Sequence, residues 1–162
     1  MSELYRRPGF LLRRAHQISV SLFLSEVAPL PITTTQYGAM VVLSAYHSLD
    51  HVGLAKLLGT DRSTITLVVG NLIEMGYVLR KSDPKDKRRK VLELSDAGRK
   101  VLEKLEPSAR RAAKRALEPF TAKDGKQFIE LLTRFVSTFN AEARAPIMAG
   151  DPGRRRSRST VD

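Results

Sequence analysis

The sequence predicts a mainly α-helical protein that carries one small β-hairpin. Apolar residues recur at helical spacing through most of the 162 residues, in segments that end at glycine or proline. The stretch "YVLRKSDPKDKRRKVLELS" at 77–95 instead has two short apolar runs around a charged centre, which is typical of two strands joined by a turn. Lysine and arginine total 28 against 17 acidic residues, and the net charge of +11 indicates a polyanionic partner.

Two helices are expected ahead of residue 50. The first covers residues 10–26, where the apolar face is unusually wide, and the proline segment "APLPI" ends it. The second covers about 34–48 and begins at a capping box, in which the Thr33 hydroxyl and the Gln36 side chain satisfy free backbone groups. Local signals therefore place the boundary between these two helices.

Two further helices and the hairpin follow without a long loop. Asp50 can cap a short third helix, "HVGLAKLLG", which Gly59 can end because glycine tolerates positive φ. The fourth helix, "TDRSTITLVVGNLIEMG", begins at Thr60 or Asp61 and closes at Gly76. The hairpin is then expected to consist of a strand, a turn and a second strand, at 77–82, 83–89 and 90–94.

The rest of the chain is expected to contain two long helices and a basic tail. Ser95 caps a helix that is interrupted or kinked at Pro107, and Thr121 with Asp124 forms a second capping box for a helix that runs to about Arg144. Residues 147–162, which include "GDPGRRRSRSTVD", are expected to be a disordered basic tail. Its arginines either add affinity for phosphates or only keep the end in solution.

Helices three and four, the glycine turn and the hairpin occur in the order of a winged helix-turn-helix. Four apolar residues of the fourth helix must face inward: Ile65, Val68, Val69 and Leu72. The opposite face is small and mostly polar and carries Ser63, Thr66, Leu67, Gly70, Asn71 and Glu74, with Arg62 on its flank. Such a helix can enter a major groove, while a basic hairpin beside it can reach phosphates or a minor groove.

These segments resemble the MarR family of bacterial transcriptional regulators. The resemblance lies in "LAKLLGTDRSTIT", "NLIEMGYVLRKSDPKDKRRKVLELSDAG" and, more weakly, "ITTTQYGAMVVL". It implies a homodimer on a palindromic double-stranded DNA operator, with residues 1–32 and 96–146 forming the helical dimerisation region and residues 33–95 the winged helix-turn-helix lobe. By motif match and by position on the fourth helix and hairpin, the DNA-binding candidates are Thr60, Arg62, Ser63, Thr64, Thr66, Leu67, Asn71, Lys87, Arg88 and Arg89. Asp86 is expected to hold the Arg88 guanidinium in an extended pose.

The resemblance also implies a small-molecule effector that weakens DNA binding. Arg13, His16 and Ser19 recur at helical spacing on the first helix, and Tyr37 on the second could face them. Such a pocket would suit an aromatic ring with a carboxylate or thioester at one end. The phrase "RPGFLLRRAHQI" resembles a MarR subgroup linked to aromatic-acid catabolism, which implies an aromatic acid or its acyl-CoA as ligand. The alternative is that these residues only make interhelical or dimer contacts.

Several other functions have little support in the sequence. With no cysteine, the chain cannot sense oxidants through a thiol. His47 and His51 are expected to lie on either side of a helix boundary, so no metal site is expected, and no nucleophile motif or phosphate loop indicates catalysis or a cofactor. No apolar run is long enough for a membrane span, which fits a cytoplasmic, nucleoid-associated bacterial protein. The main alternative is that the chain is a ligand-independent architectural protein, which would coat DNA without regulating a specific gene.

Overall fold

The structure, a computed structural model, describes residues 3–28, 30–46, 49–83 and 86–148. Within these ranges it is mainly helical with a two-stranded antiparallel hairpin, as predicted. The helices and strands are α1 Pro8–Glu26, α2 Thr34–Ala45, α3 His51–Leu58, α4 Arg62–Glu74, β1 Val78–Ser82, β2 Lys90–Leu94, α5 Asp96–Leu117 and α6 Ala122–Thr138. Short 3-10 turns lie at Glu3–Arg6 and Asn140–Glu142. Across the described ranges, no helix combines the length and the apolar character that crossing a bilayer requires.

Side-chain caps fix where helices α2, α3 and α4 begin. Thr33 and Gln36 form the predicted capping box, since the Thr33 amide donates to Gln36 Oε1 at 2.8 Å and the Gln36 amide donates to Thr33 Oγ1 at 3.2 Å. The Asp50 carboxylate accepts from the amide of Gly53 at 2.8 Å, and Asp61 is the N-cap of α4. These caps satisfy amides that would otherwise lack partners.

One core holds α2, α3, α4 and the hairpin together. Its largest fully buried side chains are Met40, Leu49, Leu54, Ile65, Leu72, Leu92 and Leu94. The Leu92 amide donates to the carbonyl of Leu49 at 2.7 Å, so the segment after α2 pairs with β2 and fastens the hairpin to the lobe. We call the hairpin with its turn, residues 78–94, the wing.

A second core joins the end of α1 to α5. It contains Phe23, Val27, Ile32, Leu105 and Ala112. The two cores meet where α5 begins, since Tyr77 packs against both of them. At this point Gly98 lies so close to the Tyr77 carbonyl that a β-carbon at residue 98 would clash with it. The Ser95 hydroxyl also donates to the carbonyl of Gly76 at 2.6 Å. The lobe is therefore fixed to the N-terminal end of α5.

Much of the apolar surface of α1 and α6 is exposed to solvent. On α1 the exposed residues include Leu11, Leu12 and Ile18, and on α6 they are Phe128, Ile129, Leu131, Leu132, Phe135 and Val136. Among the described elements, α6 makes its main contacts only with the 3-10 turn that follows it. An apolar face of this size is typical of a surface that another chain covers.

Helix α1 begins at Pro8, two residues before the predicted start, and two other helices end earlier than predicted. Helix α2 ends at Ala45 rather than near residue 48, because Tyr46 is already extended and leads to the segment that pairs with β2. Helix α6 ends at Thr138 rather than near Arg144, since the Asn140 side chain bonds the backbone of Ile147 and closes a turn there. Both ends are therefore set by pairing with another segment.

Three predictions about the α5–α6 region and the tail also need correction. Helix α5 runs through Pro107 and is not interrupted there, while a kink at this residue stays a prediction. Pro107 is exposed, so water can satisfy the carbonyl that the proline leaves free. The Thr121 hydroxyl caps α6 by accepting from the Asp124 amide. The Asp124 carboxylate accepts from the Thr121 hydroxyl and not from the Thr121 backbone amide, so the second bond of the predicted capping box is not formed. Ile147 and Met148, assigned to the tail, contact α3 and its end. Residues 149–162, with the tail arginines, lie outside the described residues.

Candidate nucleic-acid interface

The fourth helix presents the predicted face to solvent. Ile65, Val68, Val69 and Leu72 are all buried, and this fixes the rotation of α4 on the lobe. Gly59 adopts the left-handed conformation, with φ of 60°, which turns the chain from α3 into α4. The opposite face is open: Arg62, Ser63 and Thr66 are exposed, Leu67 is 67% exposed, and Asn71 is half-buried. Helix α4 therefore has the orientation that a recognition helix requires.

Most hydroxyl groups on α4 already have a partner within the helix. The Asp61 carboxylate accepts from the Ser63 hydroxyl, and from the amide and hydroxyl of Thr64 at 3.0 and 2.8 Å. These hydrogen bonds hold the pKa of Asp61 far below its usual range, so the carboxylate is ionised at neutral pH. The Thr66 hydroxyl donates to the carbonyl of Arg62 at 2.8 Å. The hydroxyl oxygens therefore face outward mainly as acceptors.

Thr60 lies in the turn before α4 and differs from the other candidates. It is half-buried, and its hydroxyl donates to the carbonyl of Leu58 at 3.3 Å. Arg62, by contrast, is an exposed cation in the first turn of α4. A phosphate near this end of the helix would meet the Arg62 guanidinium and the partial positive charge of the helix dipole.

Apart from Arg80, which is exposed on β1, the basic side chains of the wing fall into two groups. Three have acidic or polar partners: Lys81 pairs with Glu93 at 2.8 Å, Lys90 donates to the Ser82 hydroxyl, and Arg89 is described below. Lys87 and Arg88 are exposed at the turn, and within the described residues neither side chain forms an ion pair. Lys85 lies outside the described residues. The wing tip thus has two cations available for an outside anion.

Arg89 and Asp86 have contacts that the sequence analysis did not foresee. The Arg89 guanidinium lies 3.3 Å from the Asp50 carboxylate and 3.7 Å from that of Asp83, which is buried. Asp86 accepts from the backbone amide of Arg88 at 3.0 Å, so it shapes the turn instead of holding the guanidinium as expected. The reason is geometric, since a tight turn brings the carboxylate next to the amide two residues on.

The ligand candidates on α1 form one exposed stripe. Arg13, His16 and Ser19 are all exposed, and Phe23 continues their spacing towards the second core. Arg13 donates to Gln17 at 3.3 Å and lies over the ring of Phe10. Arg13 and Phe23 are about 15 Å apart along the helix, at 1.5 Å per residue. One small ligand could therefore not span the whole stripe.

Tyr37 lies at the buried end of this stripe. Its ring centroid is 5.3 Å from that of Phe23, and its hydroxyl donates to Glu106 of α5 at 2.8 Å. Burial is the main cause that raises the pKa of Tyr37 to about 12, and the hydrogen bond to Glu106 is the second. Tyr37 thus links α2 of the lobe to α5, a contact that no local sequence pattern indicates.

A groove with both polar and apolar lining lies between α1 and α5. It has a volume of about 350 Å³ and is lined by Arg14, Gln17, Ile18, Ser21, Leu22, Ser25 and Arg115. Below it, Glu26 accepts from Arg111 and Arg115 at 2.8 and 2.9 Å, and these two bonds lower its pKa. The sequence analysis missed these residues, because the partners are more than 80 positions apart.

No metal cluster occurs within the part of the chain that the structure describes. His51 is the first residue of α3, and partial burial lowers its pKa. His47, its possible partner in the sequence, lies outside the described residues.

The lobe, its exposed helix α4 and its cationic wing define the protein as a winged helix-turn-helix DNA-binding protein. The sequence profile of the MarR family matches residues 32–90. The PcaV transcriptional regulator of Streptomyces coelicolor, solved in complex with its natural ligand, is 32% identical with a TM-score of 0.76, over 85% of this chain and 96% of PcaV. The chain belongs to the MarR family of transcriptional regulators and is not an enzyme.

Two further relatives are similar over most of their length. The HTH-type transcriptional repressor NicR of Pseudomonas putida is 25% identical over 130 residues, which cover 80% of this chain and 82% of NicR. The transcriptional repressor CouR, solved bound to a 23-mer DNA duplex, is 27% identical with a TM-score of 0.77, over 84% of this chain and 96% of CouR.

Proposed function

We propose that this protein is a homodimeric, sequence-specific repressor that acts on the nucleoid in the bacterial cytoplasm. It binds a palindromic operator and is released by a small ligand, an aromatic acid or its CoA thioester. The observation that carries the proposal is that the open face of α4 and the free cations at the wing tip lie on one lobe. The relatives NicR and CouR, both named as repressors, support the direction of control.

In this proposal α4 lies in the major groove and the wing follows the backbone. Arg62 and Asn71 donate to phosphates or base edges, and Leu67 contacts thymine methyl groups. Thr60, Ser63, Thr64 and Thr66 accept from base amino groups or face the backbone. Lys87 and Arg88 bind phosphates or the minor groove, whereas Arg89 and Asp86 orient the wing. Readout in the middle of α4 is thin, so DNA shape contributes to specificity.

The dimer follows from the apolar residues that α1 and α6 expose. Burying such faces against a second copy removes apolar surface from water, which is the main driving force of association. Two copies related by a twofold axis present two α4 helices to DNA, and a palindromic site has the same symmetry.

The ligand binds along the α1 stripe, between the dimer helices and the lobe. His16 and Ser19 contact the acid group or ring, and Tyr37 with Phe23 forms the closed end. Arg13 lies further along and suits a longer ligand, such as the phosphates of a CoA ester. Because Tyr37 is bonded to Glu106 of α5, a ligand that displaces this contact changes the spacing of the two lobes.

Fluorescence anisotropy at physiological salt tests the DNA-binding proposal. The full-length protein is titrated onto DNA from directly upstream of its own gene and onto a scrambled copy. A preference of at least about a thousandfold is expected of a repressor. Little preference for any genomic fragment in a pull-down and sequencing experiment would favour the architectural function instead.

The same assay tests the ligand. Aromatic acids and their CoA esters are added to the preformed complex, and release is compared between the native protein and His16→Ala. Ser21→Ala, an exposed position of α1 outside the stripe, is the control, because Gln17 accepts a hydrogen bond from Arg13 of the stripe. Release that survives in His16→Ala would exclude the α1 stripe, and no release by any compound would remove the ligand part of the proposal while leaving the DNA part intact.

A further inference from the structure

The segment after α6 folds into a small closed turn. Asn140 Nδ2 donates to the carbonyl of Ile147 at 2.8 Å, and Asn140 Oδ1 accepts from the Ile147 amide at 2.8 Å. One side chain thereby ties together two positions seven residues apart. We call residues 140–148 the C-terminal clip.

The clip lies against the turn between α3 and α4. The Met148 amide donates to the carbonyl of Lys56 at 3.1 Å, near the end of α3. Ile147 packs on Gly59, where a β-carbon would lie 2.6 Å from Ile147 Cγ1 and 3.3 Å from the Ala145 carbonyl oxygen. The chain thus returns to the helix-turn-helix about 90 residues later.

Arg144 is the exposed cation of the clip, and it lies near the N-terminus of α4. The pKa of Asp61, the N-cap of α4, is lowered mainly by hydrogen bonds from Ser63 and Thr64, with a small contribution from the charge of Arg144. Within the described residues Arg144 forms no hydrogen bond or ion pair, so its guanidinium is available. The N-terminal turn of a recognition helix is the part that approaches DNA most closely.

We propose that Arg144 is an additional DNA-backbone contact, supplied from outside the winged lobe and positioned by the clip. The proposal rests on the DNA-binding mode above. Asp61 places a negative charge at the end of α4 that must approach phosphates, and a cation beside it offsets that repulsion. Arg144 then binds the phosphate next to the one that Arg62 reaches, so each half-site gains a contact that the winged helix-turn-helix lobe alone lacks.

The salt dependence of DNA binding tests this role. Affinity for the same DNA fragment is measured between 50 and 200 mM salt for the full-length protein and for Arg144→Gln. Each lost phosphate contact lowers the slope of log K against log salt by about 0.9, or about 1.8 for a dimer. The native protein should therefore lose about 12-fold more affinity over this range than Arg144→Gln. Arg134→Gln, which removes the same charge from the exposed surface of α6, should match the native protein.

A second variant tests the positioning by the clip. Asn140→Ala removes both bonds to Ile147 and leaves Arg144 in the chain, so its salt slope should fall between those of the native protein and Arg144→Gln. If Arg144 only stabilises the Asp61 cap, Arg144→Gln will melt earlier with an unchanged slope, and this outcome overturns the inference. If the native protein binds DNA without a salt-dependent affinity, the proposed DNA-binding function itself fails.

Discussion

Arg88 and Arg89 are adjacent in the wing, and replacing each with alanine should separate DNA contact from wing stability. Arg88 is exposed at the turn, and within the described residues its side chain has no ion pair. The Arg89 guanidinium instead lies between Asp50, which caps α3, and the buried Asp83 carboxylate. Arg88→Ala should weaken DNA binding directly, whereas Arg89→Ala should loosen the attachment of the wing to the lobe.

The structure gives the loss of stability expected for Arg89→Ala. The side chains of the pair with Asp50 are 44% and 34% exposed, so this pair is worth at most about 1 kcal/mol. Asp83 has a side chain only 8% exposed, and removing its cationic neighbour at 3.7 Å should cost about 1 kcal/mol more. A total of about 2 kcal/mol corresponds to a fall in Tm of about 4–8 °C for a domain of this size. Arg88→Ala should lower Tm by less than about 2 °C.

Calorimetry at fixed protein concentration and salt-dependent anisotropy together make the assay. Protein concentration is held constant because dimerisation makes Tm depend on it. Arg88→Ala should reduce the salt slope by about 0.9 per protomer, while Arg89→Ala should leave the slope unchanged. The reasoning is refuted if Arg89→Ala lowers the slope and keeps the native Tm, since Arg89 would then contact DNA itself.

Three other predictions concern the contacts that α5 makes with α2 and α1, and the tail. Tyr37→Phe should lower the free energy of unfolding in urea by about 1 kcal/mol, because the hydrogen bond to Glu106 is lost. The native protein should lose stability as the pH rises from 10 towards 12, the raised pKa of Tyr37, and Tyr37→Phe should not show this loss. Glu26→Gln should be less stable than the native protein at neutral pH, and the difference should shrink as the pH falls below 4.5. The reason is that a carboxyl group with a lowered pKa stabilises the fold only while it is ionised. A difference in Tm between the two proteins that persists at low pH would contradict this. Deleting residues 149–162 should lower the salt slope of DNA binding, since the clip ends beside the α3–α4 turn, and an unchanged slope would assign the tail arginines no role.

Local signals in the sequence were enough to predict most of the lobe. The capping pairs and Gly59 involve residues no more than three positions apart or a single backbone conformation, so their geometry is set within the segment. The buried face of α4 followed from the helical spacing of four apolar residues. These features are the ones that fix the position of the recognition helix.

Features that depend on distant partners could not be predicted in the same way. The sequence places Arg89 and Arg88 side by side, but only the folded lobe brings Asp50, 39 residues earlier, to one of them. The bond from Tyr37 to Glu106 spans 69 residues, and the clip joins residue 148 to α3. Side-chain direction at a tight turn and contacts between distant segments require the three-dimensional structure.

Two glycines with the same backbone conformation provide a matched test of the clip. Gly59 and Gly76 have φ of 60° and 74°, so alanine at either position carries a strain of about 1–2 kcal/mol. A β-carbon at Gly76 meets no atom within 4 Å, whereas one at Gly59 would lie 2.6 Å from Ile147 Cγ1. Gly59→Ala should therefore cost at least about 1 kcal/mol more than Gly76→Ala in urea unfolding, because the clip must move.

The excess cost should depend on Ile147, and a double-mutant cycle isolates that dependence. In an Ile147→Ala background the β-carbon at position 59 meets no large side chain, so Gly59→Ala should then cost about as much as Gly76→Ala. Equal costs of the two glycine substitutions in the native background would mean that the clip does not rest on the α3–α4 turn. Arg144 would then have no fixed position beside the recognition helix, because the contacts of Ile147 and Met148 with Gly59 and α3 hold the clip against the lobe.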